Sequence, residues 1–392
     1  MERIGIYGGT FNPPHMGHLA AAAHAAKALA LDKLLIIPDR IAPHKQIPAG
    51  SPSPEQRLEM LRIALGEDPV LAVSDLELRR EGVSYTWQTV AQLREMYPAA
   101  ALVLLMGTDM FLSFHTWRHP ERILEQAALG VFCRGEQGEP EKIAARKAEM
   151  EAAGATVRLV ENPVVPISST QLRRMLVFGC GDEFLNPGVA DYIRQQGLYG
   201  VGMDYRNLPM DKLEKVVISL LNPNRVNHVL GCRDTAVKLA RHWGADETDA
   251  ARAGILHDIT KALDGPLQLT LCEGYGKVLD EFSRKYPKTL HAFTGSLVAE
   301  RIFGENENVI RAICHHTTGR AGMTLLEKII YVADYMEPCR DFPGVEKLRG
   351  LAYSNIDAAL KLGLEMTLEH LARQGSEVSP ETREALAWLN RH

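Results

Sequence analysis

A chain of 392 residues is long enough for two or three domains, each able to bury its own core. Its 44 basic and 49 acidic residues, net charge -5, offer no broad attraction to nucleic acid and favour small anions held by local basic groups. Six cysteines without a CxxC pair argue against a disulfide framework or thiolate zinc site. No apolar run approaches a membrane span or a leader segment, so a soluble cytoplasmic protein is expected.

The first predicted element is a strand over Arg3-Ile4-Gly5-Ile6-Tyr7, ending at Gly8-Gly9, where the backbone can turn and approach a ligand without Cβ obstruction. Thr10-Phe11-Asn12-Pro13-Pro14 reads as an extended loop. Gly17-His18-Leu19 then opens an alanine-rich helix over Ala20 to Leu31, so His15 and His18 sit one turn apart at its N-terminus. Free N–H groups and the helix dipole favour an anion there, and a triphosphate fits. A lone histidine would more often cap or pack, but no packing need calls for two glycines, two prolines and two histidines in this order.

Further strands are predicted over Leu34–Ile37, Ala101–Met106 and Thr156–Val160, alternating with helices. That alternation implies a mostly parallel sheet with its site at the carboxyl ends. Gly107-Thr108-Asp109 closes one strand, with Asp109 either a helix cap or a ribose ligand. The charged stretch Gly135 to Glu151 reads as a solvated loop and helix face. Ile167-Ser168-Ser169-Thr170-Gln171-Leu172-Arg173 is a hydroxyl-rich helix start, a cap alone or a second jaw on the triphosphate. There is no GxxxxGK[ST] loop and no complete dinucleotide fingerprint, so a dinucleotide would be product and not redox cofactor.

Near residue 200 the pattern turns helical, with Leu213, Val216, Val217, Leu220 and Leu221 as one stripe. The expected division is a domain over 1–200, a linker over 201–209 and an all-helical domain over 210–392. The second domain carries Arg225, His228, His257-Asp258 with Lys261, His291, His315-His316 and Asp334. His257-Asp258 is expected on the apolar helix running through 250–256, and Asp334 within another apolar face. Such residues are costly there unless paired or metallated. Cys314, beside two histidines, is the one cysteine of interest.

The string Gly8 to His18 resembles the signature of the nucleotidylyltransferase superfamily. With Pro43-His44-Lys45, Ser84-Tyr85-Thr86, Gly107-Thr108-Asp109, Trp117, Ile167-Ser168-Ser169-Thr170, Arg173 and Gly197-Leu198-Tyr199, it resembles the nicotinate mononucleotide adenylyltransferase family over residues 1 to 200. The resemblance implies an α/β Rossmann-like fold. It implies that His15, His18, Lys45 and Arg173 contact ATP phosphates with Mg²⁺, and that Gly8, Gly9, Thr10, Phe11, Gly107, Asp109, Ile167, Ser168, Ser169 and Thr170 surround the nucleotides. Ser84 and Tyr85 would also bind substrate or nucleotide, and Thr86 and Trp117 would help hold the nicotinate mononucleotide. Asn12 stands where the family more often has aspartate.

The order H…HD…H…H…D resembles the HD-domain metal phosphohydrolases. Over 208–390 it is similar to the bacterial subgroup that splits diadenosine tetraphosphate symmetrically into two ADP. By that resemblance His228, His257, Asp258 and Asp334 bind Fe²⁺/Fe³⁺ or Mn²⁺, one or two ions. His291, His315 and His316 take substrate phosphates or a second ion, Lys261 and Arg225 neutralise phosphate charge, and Asp258 is general base or metal bridge. The expectation is a two-enzyme chain acting on small nucleotides, without nucleic-acid or membrane partners and with homo-oligomerisation left open. The rival readings for the second domain are an idle nucleotide sensor and a hydrolase of another nucleotide phosphate ester.

Overall fold

Strand β1 (Arg3–Gly9) leads through α1 (Met16–Ala28), β2 (Lys33–Pro38) and α2 (Pro54–Leu65) to the short β3 (Leu71–Val73). Helix α3 (Thr86–Met96) returns the chain to β4 (Ala101–Gly107). There follow α4 (Thr108–Leu112), α5 (Pro120–Leu124), β5 (Ala127–Cys133), α6 (Glu139–Ala152), β6 (Val157–Glu161), α7 (Ser169–Val177) and α8 (Pro187–Gln196). The computed structural model describes residues 1–41, 50–133, 139–161 and 165–392. These fall into two units, Met1–Gly202 and Met203–His392.

All strand pairings in the first unit are parallel, in the order β3-β2-β1-β4-β5-β6. The chain runs outward from β1 to one edge, then crosses to β4 and runs to the other. Strands β1 and β4, in register at Tyr7 and Leu105, therefore bound a topological switch point, where the carboxyl ends of an open α/β sheet leave a crevice. The predicted strands at 3–7, 34–37, 101–106 and 156–160 are present, within a residue or two at their ends. One sheet face buries Ile4, Ile6, Leu102 and Leu104 beneath Val90 and Leu93 of α3. The other is covered by α1, whose buried Ala21, Ala22, Ala25 and Ala26 allow a close approach to Leu34, Ile36 and Leu105. Each such buried leucine or isoleucine contributes about 1.5–3 kcal/mol.

The described elements of the second unit are helical: α9 (Met210–Leu220), α10 (Val226–Trp243), α11 (Glu247–Leu256), α12 (Gly265–Gly274), α13 (Glu281–Lys285), α14 (Leu290–Val298), α15 (Glu307–Cys314), α16 (Leu325–Met336), α17 (Val345–Ser354), α18 (Ile356–Arg373) and α19 (Pro380–Leu389). Helix α10 packs on α11 and α16, and α16 on α15 and α18. Leu239, Ile255, Ile313, Ile329 and Leu364 are buried in this unit. Among the described residues no helix is long and apolar enough to cross a membrane.

Candidate functional site

At the switch point, Gly8 lies one residue before the end of β1 and Gly107 ends β4, and among the described residues a Cβ built on either meets nothing within 4 Å. Open space thus lies beside Gly8 and Gly107. His15 caps α1 and His18 follows one turn on; the His15 N–H donates to His18 Nδ1 at 3.2 Å, which leaves Nε2 as the protonated, donating nitrogen of a neutral His18 ring. The two rings lie 3.7 Å apart between centroids. A Cβ at Gly17, between them, would stand 3.0 Å from His15 Nδ1, tighter than ordinary contact.

Helix α7 is capped by Ser168, which accepts from the Gln171 N–H at 3.2 Å. It docks onto the loop after β1 through Ser169 Oγ to the Pro13 carbonyl, 3.2 Å, and Arg173 Nη1 to the Asn12 carbonyl, 2.7 Å. Arg173 also donates to Thr170 Oγ1 at 3.1 Å. Two helix N-termini, one with paired histidines and one with hydroxyls and an arginine, are thereby joined through one loop. Asn12 Oδ1 accepts from Tyr199 at 2.8 Å while its Nδ2 donates to Ser51 at 3.1 Å, so the amide that stands in for aspartate has partners for both its atoms.

Beneath the loop lies a residue the sequence reading did not single out. Arg57, fully buried on α2, donates to the carbonyls of Thr10 and Asp39 at 2.6 Å each and faces the Asp39 carboxylate at 3.3 Å. Thr10 Oγ1 closes the triangle on Asp39 at 2.8 Å. The available signal was a charge at 57 among Leu58 and Leu61 on the apolar side of α2.

Ser84 is buried and its N–H reaches the Ile41 carbonyl at 3.2 Å. Tyr85 caps α3, Thr86 begins it, and Arg118 stacks on Tyr85 at 4.7 Å, bringing the Trp117 segment beside them. Trp117 rests on Phe114, centroids 5.2 Å apart. Asp109 is exposed within α4 at the rim; the helix is capped by Gly107, not by Asp109. Ile167 is half-buried beside the Ser168 cap. Lys45, with Pro43 and His44, lies outside the described residues.

In the second unit four histidines converge on two aspartates. His228 Nε2 lies 3.3 Å from His257 Nε2, 3.2 Å from Asp334 Oδ1 and 3.6 Å from Asp258 Oδ2. His257 Nε2 is also 3.6 Å from Asp258 Oδ2. On the other oxygen, Asp258 Oδ1 faces His291 Nε2 at 3.5 Å and His316 Nε2 at 3.8 Å. Two groups, His228/His257/Asp334 and His257/Asp258/His316, each bring their donor atoms within 4.8 Å of one another.

The donor chemistry fits a cation. His257 Nδ1 lies 2.8 Å from the Gly254 carbonyl, His316 Nδ1 2.7 Å from the Ile313 carbonyl and His228 Nδ1 3.0 Å from Glu337 Oε1. With the Nδ1 proton on those partners, each Nε2 is left facing the cluster, where loss of any proton it carries exposes a lone pair for an ion. Burial pushes His316 down to about 4, so it is neutral at pH 7 and able to ligate. Burial would raise Asp258 and Asp334, but neighbouring imidazoles hold both below the ordinary carboxylate range, with Arg340 adding to the effect on Asp334.

Cations ring the cluster. Arg225 pairs with Asp258, and Arg340 donates to Asp334 Oδ1 at 2.5 Å. Lys261, lowered by burial, lies 3.1 Å from His291 Nε2. Thr317 Oγ1 is 3.3 Å from the same nitrogen.

Two expectations are corrected. His257 and Asp258 do not ride on the helix: α11 ends at Leu256, and the turn that follows points both inward. His315 does not join His316; as the C-cap of α15 it turns away, its Nε2 4.0 Å from Glu327 Oε1. Adjacent residues leaving a helix end diverge, so the paired histidines occupy separate surroundings. Cys314 is an ordinary half-buried thiol, pushed up to about 11 chiefly by desolvation. Glu337 and Arg340 were not assigned roles from sequence, because nothing in spacing ties them to a histidine more than 100 residues earlier.

The family descriptions that match are Cytidylyltransferase-like over residues 6–175 and HD domain over residues 225–339. A probable nicotinate-nucleotide adenylyltransferase of Aeromonas salmonicida is 41% identical over 208 residues, 50% of this chain and 96% of that protein. A protein of the same name from Neisseria meningitidis is 36% identical over 204 residues, 51% of this chain and 99% of the relative. A crystal structure described as a predicted HD superfamily hydrolase involved in NAD metabolism, from Clostridium acetobutylicum, is 36% identical, covers 47% of this chain and 98% of its own, and superposes with a TM-score of 0.46. Through its first half the chain belongs to the nicotinate-nucleotide adenylyltransferase family, and in its second half it carries an HD domain.

Proposed function

We propose that the first unit transfers AMP from ATP to nicotinate mononucleotide. The observation that carries this is the joining of the His15/His18 helix start to the Ser168/Arg173 helix start, with open space beside Gly8 and Gly107. The nucleotide phosphate attacks the α-phosphorus of ATP in line; the new P–O bond forms as the bond to pyrophosphate breaks. His15, His18 and the α1 N–H groups neutralise charge developing on the transferred phosphate, and Arg173 steadies the departing pyrophosphate. Mg²⁺ would arrive on the triphosphate and screen it. Lys45 would add a further cation, and Thr86 and Trp117 would hold the acceptor nucleotide. Incubation with ATP and nicotinate mononucleotide should yield the deamido dinucleotide. His18→Ala should lose this activity alone; no product from the wild type would refute the assignment.

For the second unit we infer metal-dependent hydrolysis of a nucleotide phosphate anhydride, with diadenosine tetraphosphate cut to two ADP as the specific reading. It rests on the opposed oxygens of Asp258, one facing His228 and His257, the other His291 and His316. His228, His257 and Asp334 would hold one ion, and His257, Asp258 and His316 offer an overlapping second set. Such ions, iron or manganese, would supply Lewis-acid activation of water and phosphate. Around them Lys261 and Arg225 are placed to hold phosphate oxygens in line for attack. Full-length protein loaded with Fe²⁺ or Mn²⁺ should produce two ADP per tetraphosphate, and Asp258→Ala none. AMP with ATP would overturn symmetric cleavage, and absence of turnover in metal-loaded protein would favour a sensor.

A further inference from the structure

His257 and His316 place Nδ1 on backbone carbonyls of the helices they follow, but His228 donates to a carboxylate from another part of the chain, Glu337. The Glu337 side chain is 1% exposed, and so deep a charge is costly unless its position is fixed by several partners. Its second oxygen accepts the Cys339 N–H at 2.6 Å, and Arg340 Nε stands 3.7 Å from the first. The backbone around it is pinned from α17, where Arg349 donates to the carbonyls of Met336, Glu337 and Arg340 at 2.9–3.0 Å. Room is made on α10: a Cβ at Gly231, three residues after His228, would come within 2.7 Å of Glu337 Oε2 and 3.2 Å of Pro338.

We propose that Glu337 is a positioning residue for the metal ligand His228, and that Gly231 is the gap through which it reaches the ring. The carboxylate fixes the His228 tautomer, aims Nε2 at the cluster and makes that imidazole a stronger donor than His257 or His316, whose Nδ1 partners are neutral. The group His228/His257/Asp334 is then the tighter of the two overlapping ligand sets. This rests on the metal-dependent reading above.

The test uses full-length, metal-stripped protein titrated with Co²⁺ against a chromophoric chelator, following the visible Co²⁺ absorption. Glu337→Gln should weaken the tightest Co²⁺ site by about 10–100-fold and change its spectrum. Gly231→Ala, which leaves the imidazole and the carboxylate chemically unaltered, should reproduce both effects by displacing Glu337. Wild-type protein that binds no Co²⁺ would overturn the metal reading and this role together. Tight wild-type binding with unchanged affinity and spectrum in both variants would overturn the positioning role alone, even if their apo stability fell.

Discussion

Arg173 on α7 donates to the carbonyl of Asn12 at 2.7 Å, across 161 residues of sequence. The same guanidinium that would grip pyrophosphate therefore also holds the histidine loop against the second helix start. Arg173→Met should lower kcat for adenylyl transfer by about 10²–10³, the usual cost of one lost charge-stabilising donor. Tetraphosphate hydrolysis should be untouched. Steady-state assays of both reactions on one preparation check this, and equal losses in both would contradict separate sites.

Gly17→Ala is expected to impair adenylyl transfer without a change of charge. The added methyl would stand 3.0 Å from His15 Nδ1, tighter than ordinary contact, so the ring has to shift by a few tenths of an ångström. A fall in kcat/KM for ATP with a native-like unfolding midpoint is the expected result, and unchanged kinetics would show that His15 does not need this seat.

Arg57→Met would strip the buried partner from Asp39 and from the Thr10 carbonyl. Breaking a buried pair from one side costs about 3–5 kcal/mol. Urea unfolding should show that loss in the first unit's transition, and a value under about 1 kcal/mol would mean that water reaches Asp39 in the variant.

The metal-free protein should lose stability in mild acid. His316 is held down to about 4 from its ordinary 6.5, so between those values the unfolded chain takes up a proton that the folded ring refuses. Its contribution is intact above about pH 6.5 and drains as the pH falls toward 4, by at most about 3 kcal/mol. Asp258 and Asp334, lowered below the carboxylate range, lose theirs only at still lower pH and do not share this window. Unfolding followed from pH 7 to 4.5 in the transition that added metal shifts should slope downward, and His316→Gln should flatten it.

What sequence could reveal was set by locality. The Gly8 to His18 string, the Ser168 cap and the parallel alternation all depend on neighbours in the chain, and each was readable. Strands β3 and β5 did not stand out, the one being three residues long and the other a brief apolar run without alternation. The inward pair His257-Asp258 was legible, but its place after the helix depended on where α11 stopped. His315 looked like His316 because sequence carries no direction for two residues at a helix end. Arg57, Glu337 and Arg349 were hidden because their partners are distant in sequence or are backbone carbonyls, which have no letter.

Helices α11 and α15 both terminate beside the cluster, handing the chain to His257 and to His315-His316. Helix C-termini carry partial negative charge, worth about 0.3–1 kcal/mol to a nearby cation and as much against an anion. Added to Asp258 and Asp334, they favour a cation at the heart of the cluster, whereas Arg225, Lys261 and Arg340 leave positive charge at its edge for an anion.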